Sequence, residues 1–318
     1  MYREPEGKTI VIFGGNGFIG RYLIQTLSKY SCKIIIITRK SHNHEKLRLL
    51  AGLGQISIIV LNEYSEEGLA KILKDCDIVI NLIGILAENK KDKFLKVHDQ
   101  IPDMISKIAK DLSIKRFVHL SALGVNKIKN SKYAISKFQG ETKVFKNFPS
   151  ATVIRPSVVF GDEDNFINLF SKIANFLPFL PIFGAPQISF SSEFLDSIFT
   201  SKVKFQPIYV GDLVKFIIGV LDKKGQTYDL TGPSIYTFDE IIKLVLRVKR
   251  KRRILFPVPL KLASLMGSIL EKLPFQILTK DQVILMMYDN ISSKGFSNLK
   301  KFIKNPKSME IILPTYIR

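Results

Sequence analysis

Cysteine is scarce in this chain of 318 residues: Cys32 and Cys76 are the only two, they lie far apart, and no C-x-x-C pattern joins them. A disulfide framework and a cysteine-based zinc site are not expected; two buried thiols in a reducing compartment are. The four histidines, His42, His44, His98 and His119, form no ligand spacing with each other or with the cysteines, so no metal centre is expected either. No apolar run reaches the roughly eighteen residues that cross a bilayer. The opening Met1-Tyr2-Arg3-Glu4-Pro5-Glu6-Gly7 lacks the apolar core of a secretory signal, and the expected location is cytoplasmic. Acidic residues are also in deficit, 28 against 48 Lys+Arg, which leaves a net charge of +20 and a pI near 9.8. Such a balance favours an anionic partner: a phosphate-bearing cofactor, an acidic lipid surface or an acidic protein. Nucleic acid is not expected, because no helix-turn-helix, zinc-finger or RNA-binding aromatic signature is present.

What the chain does contain is a globular composition, 46% hydrophobic with a mean hydropathy of +0.13, and one organising stretch near its start. The apolar run Ile10-Val11-Ile12-Phe13 leads into Gly14-Gly15-Asn16-Gly17-Phe18-Ile19-Gly20, after which Ile19, Leu23 and Leu27 recur at helical spacing. A strand, a glycine turn and a helix start hold a dinucleotide pyrophosphate: Gly14 permits the turn, Gly17 the approach of the phosphates, and Gly20 close helix–strand packing. The next apolar strand, 33–38, ends in Arg39-Lys40, where an NAD-binding chain would carry an acidic residue about twenty positions beyond the glycines. A cation pair there attracts a 2′-phosphate and no carboxylate repels it, so NADP(H) is expected over NAD(H).

Strands and helices then alternate: a helix at 42–50, a strand at 56–61, a helix at 66–73, a strand at 77–83, a helix at 94–110 and a strand at 115–121. This order predicts a doubly wound α/β parallel sheet of the Rossmann type, with ligands at the carboxyl ends of its strands. Asn62 and Glu63 would touch adenine there, and Leu82, Ile83 and Gly84 would run under the cofactor ribose. Ser121 closes the fifth strand, and Tyr133 and Lys137, four apart on one helical face, follow twelve positions later. Lys137 would favour the phenolate of Tyr133 and hold the nicotinamide ribose, while Ser121 would hydrogen-bond a substrate carbonyl. His119 alternates with apolar neighbours and is expected to be a satisfied sheet residue outside the site. After the strand at 151–154, Pro156 and Val158 would place backbone beside the nicotinamide.

The glycine stretch, His119-Leu120-Ser121-Ala122-Leu123-Gly124, Tyr133 to Lys137, Arg155 to Gly161 with Asp164, and Gln206-Pro207-Ile208-Tyr209-Val210-Gly211-Asp212 together resemble the atypical short-chain dehydrogenase/reductases, which are NAD-dependent epimerase/dehydratase-like. More narrowly the chain is similar to the NADPH-binding Rossmann accessory subunits of respiratory complex I and their bacterial relatives. That likeness continues through Phe256-Pro257-Val258-Pro259, Thr279-Lys280-Asp281-Gln282-Val283 and Leu313-Pro314-Thr315-Tyr316. The resemblance implies a tightly held NADPH beside a quinone-reducing membrane complex or in quinone metabolism, and a place peripheral on the inner face of an energy-transducing membrane. Phe13 and Asn62-Glu63 depart from the family pattern, and 185–204 is longer than in it and reads as a loop or lid.

The expected division is a cofactor-binding core over 1–163 and a smaller α+β lobe over 164–318. That lobe returns a helix near 210–222 and a strand near 227–231 to the core. Thr237 and Glu240 form a capping-box pattern. The cluster Lys249-Arg250-Lys251-Arg252-Arg253 precedes a helix at 260–273 whose Leu262, Leu265, Met266 and Ile269 share a face. Either that face meets an anionic membrane or an acidic subunit, or it packs into the lobe while the cations are solvated. Three functions fit: an accessory subunit, a free-standing NADPH-dependent oxidoreductase or epimerase acting on a small molecule through Ser121, Tyr133 and Lys137, and an NADPH-sensing regulator.

Overall fold

The computed structural model describes residues 5–39, 47–52, 54–183, 201–258, 260–270 and 279–317. Seven parallel strands form the central sheet in the order β11-β6-β5-β4-β1-β2-β3. They are β1 Thr9–Phe13, β2 Lys33–Thr38, β3 Ile56–Val60, β4 Ile78–Asn81, β5 Arg116–Leu120, β6 Thr152–Pro156 and β11 Thr227–Leu230. Helices cover both faces, and the alternation of side chains along each strand divides the core accordingly. On β1, Ile10 and Ile12 join Leu23 and Leu27 of α1 (Phe18–Leu27) and Leu213 and Phe216 of α6 (Val210–Gly219). Val11 and Phe13 join Leu69 of α2 (Glu66–Leu73) and the opposite face.

The sequence order reverses between β1 and β4, which leaves a crevice at their carboxyl ends. β4 is shorter than its apolar run predicts. The Leu82 amide still bonds the Phe13 carbonyl at 2.9 Å, but Asn81 accepts a hydrogen bond from the Ile83 amide at 3.1 Å through its side chain, turning 83–84 out of the ladder and into the crevice. The predicted helix at 94–110 is α3, a π-helical turn Leu95–Gln100 that continues as Ile101–Asp111. It packs on α4, Lys132–Asn147, which carries Tyr133 and Lys137. Glu141 of α4 is buried and receives both Nε (3.0 Å) and Nη2 (2.5 Å) of Arg155 on β6, locking helix to sheet.

The chain beyond β6 builds a second apolar core around Phe160, Phe170, Leu180, Phe238 and Val245. Its elements are β7 Val159–Phe160, α5 Phe166–Phe176, β8 Phe179–Phe183, β9 Lys204–Phe205, β10 Ile208–Tyr209, β12 Tyr236–Thr237, α7 Phe238–Val248, β13 Ile254–Val258, α8 Leu260–Leu270, α9 Lys280–Leu285, α10 Gly295–Lys300 and α11 Met309–Tyr316. The expected capping box on Thr237 and Glu240 is formed. From this half of the chain α6 returns to the α1 face, and β11 pairs with β6 to complete the large sheet. Leu262 and Leu265 are exposed, so the alternative in which they pack into the lobe is corrected; Ala263 and Gly267 of α8 are buried. Residues 42–46 of the expected helix at 42–50, 185–200 of the expected lid at 185–204, and 271–278 lie outside the described residues, as do the side chains of Met266 and Ile269. No helix among the described residues is long and apolar enough to cross a membrane.

Candidate cofactor site

The crevice at the β1/β4 reversal is an open cleft of about 200 Å3. Its floor is the glycine turn, with Gly14, Asn16 and Gly17 on one side and Leu82, Ile83 and Gly84 on the other. Gly14 has φ +78°, a conformation that favours glycine, and the 82–83 backbone passes where a side chain would stand. α1 begins at Gly17 with no side-chain cap and no acidic residue in its first turn, so its leading amides are left to an anion. These are features that fit a dinucleotide diphosphate. Phe18, Ile19 and Gly20 continue as the first turn of α1, behind the floor of the cleft.

At the outer end, Ile37, Thr38, Arg39 and Tyr64 line the cleft. Tyr64 lines the cleft, whereas Asn62, exposed just beyond β3, lies outside the lining; the Tyr64 ring sits 6.2 Å from that of Phe13. Lys40 is outside the described residues. Arg39 does not stand free of carboxylates, contrary to the expectation from the end of β2: its Nη1 donates to Asp92 from the β4–α3 loop. Sequence offset reveals only the residue that follows β2, not a partner 53 positions away.

At the inner end the chemistry is set by α4. The Lys137 ammonium lies 3.3 Å from where a Cβ on Gly84 would be and donates to the carbonyls of Leu120 (3.0 Å) and Ile83 (3.3 Å). Burial pulls it down to about 8, with Glu141 opposing. Tyr133 is not activated as expected: burial first, and the Asp281 carboxylate second, push its phenol up to about 12. Ser121 Oγ is buried without a hydrogen-bond partner, so its hydroxyl can still bond a ligand. Pro156 ends β6, and the Val158 amide donates to Asn290 at 2.9 Å; neither is among the residues lining the cleft.

Two histidines flank Lys137. His98, on the π-helical turn, accepts from the Ile85 amide at Nε2 (3.0 Å), so its Nδ1–H faces Ser136 Oγ at 3.0 Å. His119 is only half satisfied: the Asn81 amide, oriented by Ile83, donates to Nδ1 at 3.1 Å, while Nε2 is buried and unpartnered. Burial, reinforced by the Lys137 charge, lowers His98 to about 2 and His119 to about 3, so both are neutral at physiological pH.

Asp281, at the start of α9, is a contributor that no local pattern reveals. Its carboxylate accepts from Ser131 Oγ (2.8 Å), Lys132 N (2.7 Å) and Tyr133 N (3.1 Å), tying the second lobe to the first turn of α4. Replacing Asp281 by alanine is expected to lower stability by about 1–2 kcal/mol, as loss of a helix cap does. The same change should bring the Tyr133 titration down from about 12, read spectrophotometrically as the difference from a Tyr133→Phe protein.

Known proteins agree with this architecture. Residues 10–230 match the NAD dependent epimerase/dehydratase family. Over 311 residues the chain is 31% identical to the mouse protein named NADH dehydrogenase (ubiquinone) 1 alpha subcomplex subunit 9, mitochondrial, an alignment covering 96% of this chain and 78% of that one. The Arabidopsis thaliana protein of the same name is 28% identical, with 91% and 72% covered. The Neurospora crassa NADH-ubiquinone oxidoreductase 40 kDa subunit is 26% identical, with 92% and 75% covered. Among solved structures, the Escherichia coli NADPH-dependent quinone oxidoreductase QOR2 complexed with NADPH superposes with a TM-score of 0.72 at 15% identity, covering 97% of this chain and 100% of that one, which is a likeness of fold. With the glycine cradle, the seven-stranded sheet and a family match spanning residues 10–230, this chain belongs to the NAD dependent epimerase/dehydratase family.

Proposed function

We propose that the chain is an accessory subunit of a respiratory NADH:ubiquinone oxidoreductase that holds NADP(H) at the β1/β4 crevice without needing to turn it over. The observation that carries this reading is the likeness along 96% of the chain to a protein named as a subunit of that enzyme. Gly14, Asn16, Gly17 and the first turn of α1 would hold the diphosphate, Arg39 the 2′-phosphate, Tyr64 would lie against the adenosine, and Lys137 would face the nicotinamide ribose. When bound, the nicotinamide ring supplies a hydride donor or acceptor. The high phenol pKa of Tyr133 and the carbonyl-bound ammonium of Lys137 favour retention over catalysis in the free protein.

The surface of the second lobe supports a peripheral partner. Phe176, Phe179, Ile254, Phe256, Leu262 and Leu265 are exposed, and the first four are brought together by the end of α5 and the β8–β13 pair. The 249–253 cluster borders them: Lys251 Nζ reaches Asn175 at 2.8 Å and Arg253 Nε reaches the Ala174 carbonyl at 3.0 Å. Cations around an apolar surface suit an acidic subunit or an anionic membrane face.

The test is mass spectrometry of the nucleotide retained by the purified protein, with isolation of the protein from its native membranes. Bound NADP(H) and co-purification with the quinone-linked complex are expected; an empty protein found alone overturns the reading. Arg39→Asp is expected to move preference toward NAD(H) by roughly tenfold, the worth of one charge-assisted contact. Equilibrium titration with NADPH and NADH measures it.

A second reading, a free-standing reductase or epimerase, is favoured by the unpartnered Ser121 hydroxyl near Lys137. It requires turnover that falls in the Tyr133→Phe protein; turnover unchanged by that substitution removes it.

A further inference from the structure

We propose that Asp92 is a specificity-determining residue of the nucleotide site: it occupies Arg39 in the free protein and stands in for the ribose-binding carboxylate missing from the end of β2. The inference rests on the reading above that Arg39 faces the adenosine ribose.

Asp92 reaches Arg39 from a loop built to hold it. Asn89 Oδ1 accepts from the amides of Lys91 (2.8 Å) and Asp92 (2.7 Å), the Asn89 amide donates to the Asp92 carbonyl at 3.0 Å, and Asn89 Nδ2 donates to Asp92 Oδ2 at 3.3 Å. The loop is fastened at its far side by Glu88, which accepts from the Phe94 amide at 2.9 Å. Within this turn the Asp92 side chain is 18% exposed and that of Arg39 is 38% exposed, so the carboxylate is the more enclosed partner. The pair adjoins the cleft: after the effect of burial, the Tyr64 phenol is lowered by Arg39 and raised by Asp92.

The two nucleotides make opposite demands on this pair. A carboxylate accepts hydrogen bonds from vicinal ribose hydroxyls, the role an acidic residue at the end of β2 performs in NAD-binding chains of this architecture. A 2′-phosphate brings negative charge to the same corner, where it competes with Asp92 for the guanidinium and is repelled by it. Arg39 therefore draws NADP(H) in while Asp92 limits its advantage, and the chain accepts NAD(H) more readily than Arg39 alone would allow.

The experiment is equilibrium titration of NADPH and NADH into the full-length wild type and its Asp92→Asn and Asp92→Ala variants, with Arg39→Asp alongside. Melting curves establish that each variant is folded. NADPH is expected to bind about tenfold tighter to both Asp92 variants and NADH more weakly, so that the ratio of dissociation constants shifts by more than tenfold toward NADPH, the scale of one charge-assisted contact. If wild type binds NADPH through Arg39 and neither Asp92 variant moves the ratio, this inference falls and the proposed function stands. If wild type binds neither nucleotide, both fall.

Discussion

Acidification from pH 6.5 to 4.5 is expected to remove about 5 kcal/mol of folding stability, enough to unfold a domain of ordinary stability. The cause is His98 and His119, held at about 2 and about 3 in the folded chain. Once unfolded, both return to about 6.5. Below that pH the unfolded chain binds the extra protons, so stability is full above about 6.5 and is lost as pH falls toward the folded values. Each histidine contributes about 1.4 kcal/mol per pH unit in that window. His98 cannot take its second proton without expelling the Ile85 amide from Nε2, and a charged His119 would sit unsolvated beside Lys137. Urea denaturation at pH 6.5, 5.5 and 4.5 measures the effect, and His119→Gln should remove about half of the slope. A midpoint that stays level across those three conditions contradicts the buried neutral pair.

Replacing Gly20 by alanine is expected to weaken binding of NADPH and NADH alike by about a hundredfold or more, the loss of two charge-assisted hydrogen bonds to the diphosphate. The new Cβ would lie 2.5 Å from the Gly15 carbonyl oxygen and 2.6 Å from that of Gly14. Both are backbone atoms of the turn and cannot swing aside, so α1 must lift from β1 and carry its leading amides away from the cleft. Gly17→Ala makes a contrast, because its Cβ would meet only the Gly14 carbonyl, at 3.2 Å. Fluorescence titration of both variants, with circular dichroism to confirm the sheet, distinguishes a lost phosphate cradle from a general loss of fold. Undiminished affinity in the Gly20 variant would mean that the diphosphate is held elsewhere.

What was readable from the residues alone was the part governed by periodicity. Lys33–Thr38 falls where its apolar run places it, because a strand covered on both faces has little choice of composition, while helix Glu66–Leu73 and edge strand Thr227–Leu230 follow their helical spacing and their alternation. The glycine turn was legible for a similar reason: few residue types satisfy its backbone. The rest depends on chain segments meeting across the fold. Asp92 comes to Arg39 from a polar loop, Tyr64 and not Asn62 lines the cleft beyond β3, and Asp281 reaches Ser131 from 150 residues away. Tyr133 illustrates the same limit in its chemistry. Four-residue spacing puts Lys137 on the same helical face, but its ammonium is taken by the Leu120 and Ile83 carbonyls, and desolvation with a distant carboxylate moves the phenol up instead of down.

The position of β11 has a consequence for biosynthesis. β6 waits for its outer neighbour until Thr227–Leu230 has been translated, after most of the second lobe's first elements have left the ribosome. During that interval the outer rim of the nascent sheet presents unpaired amides and carbonyls, a template on which another unfinished chain can add a strand. Ribosome-associated chaperones would find their work here, at the stage when the nucleotide cradle is already complete in sequence and its sheet still lacks a side.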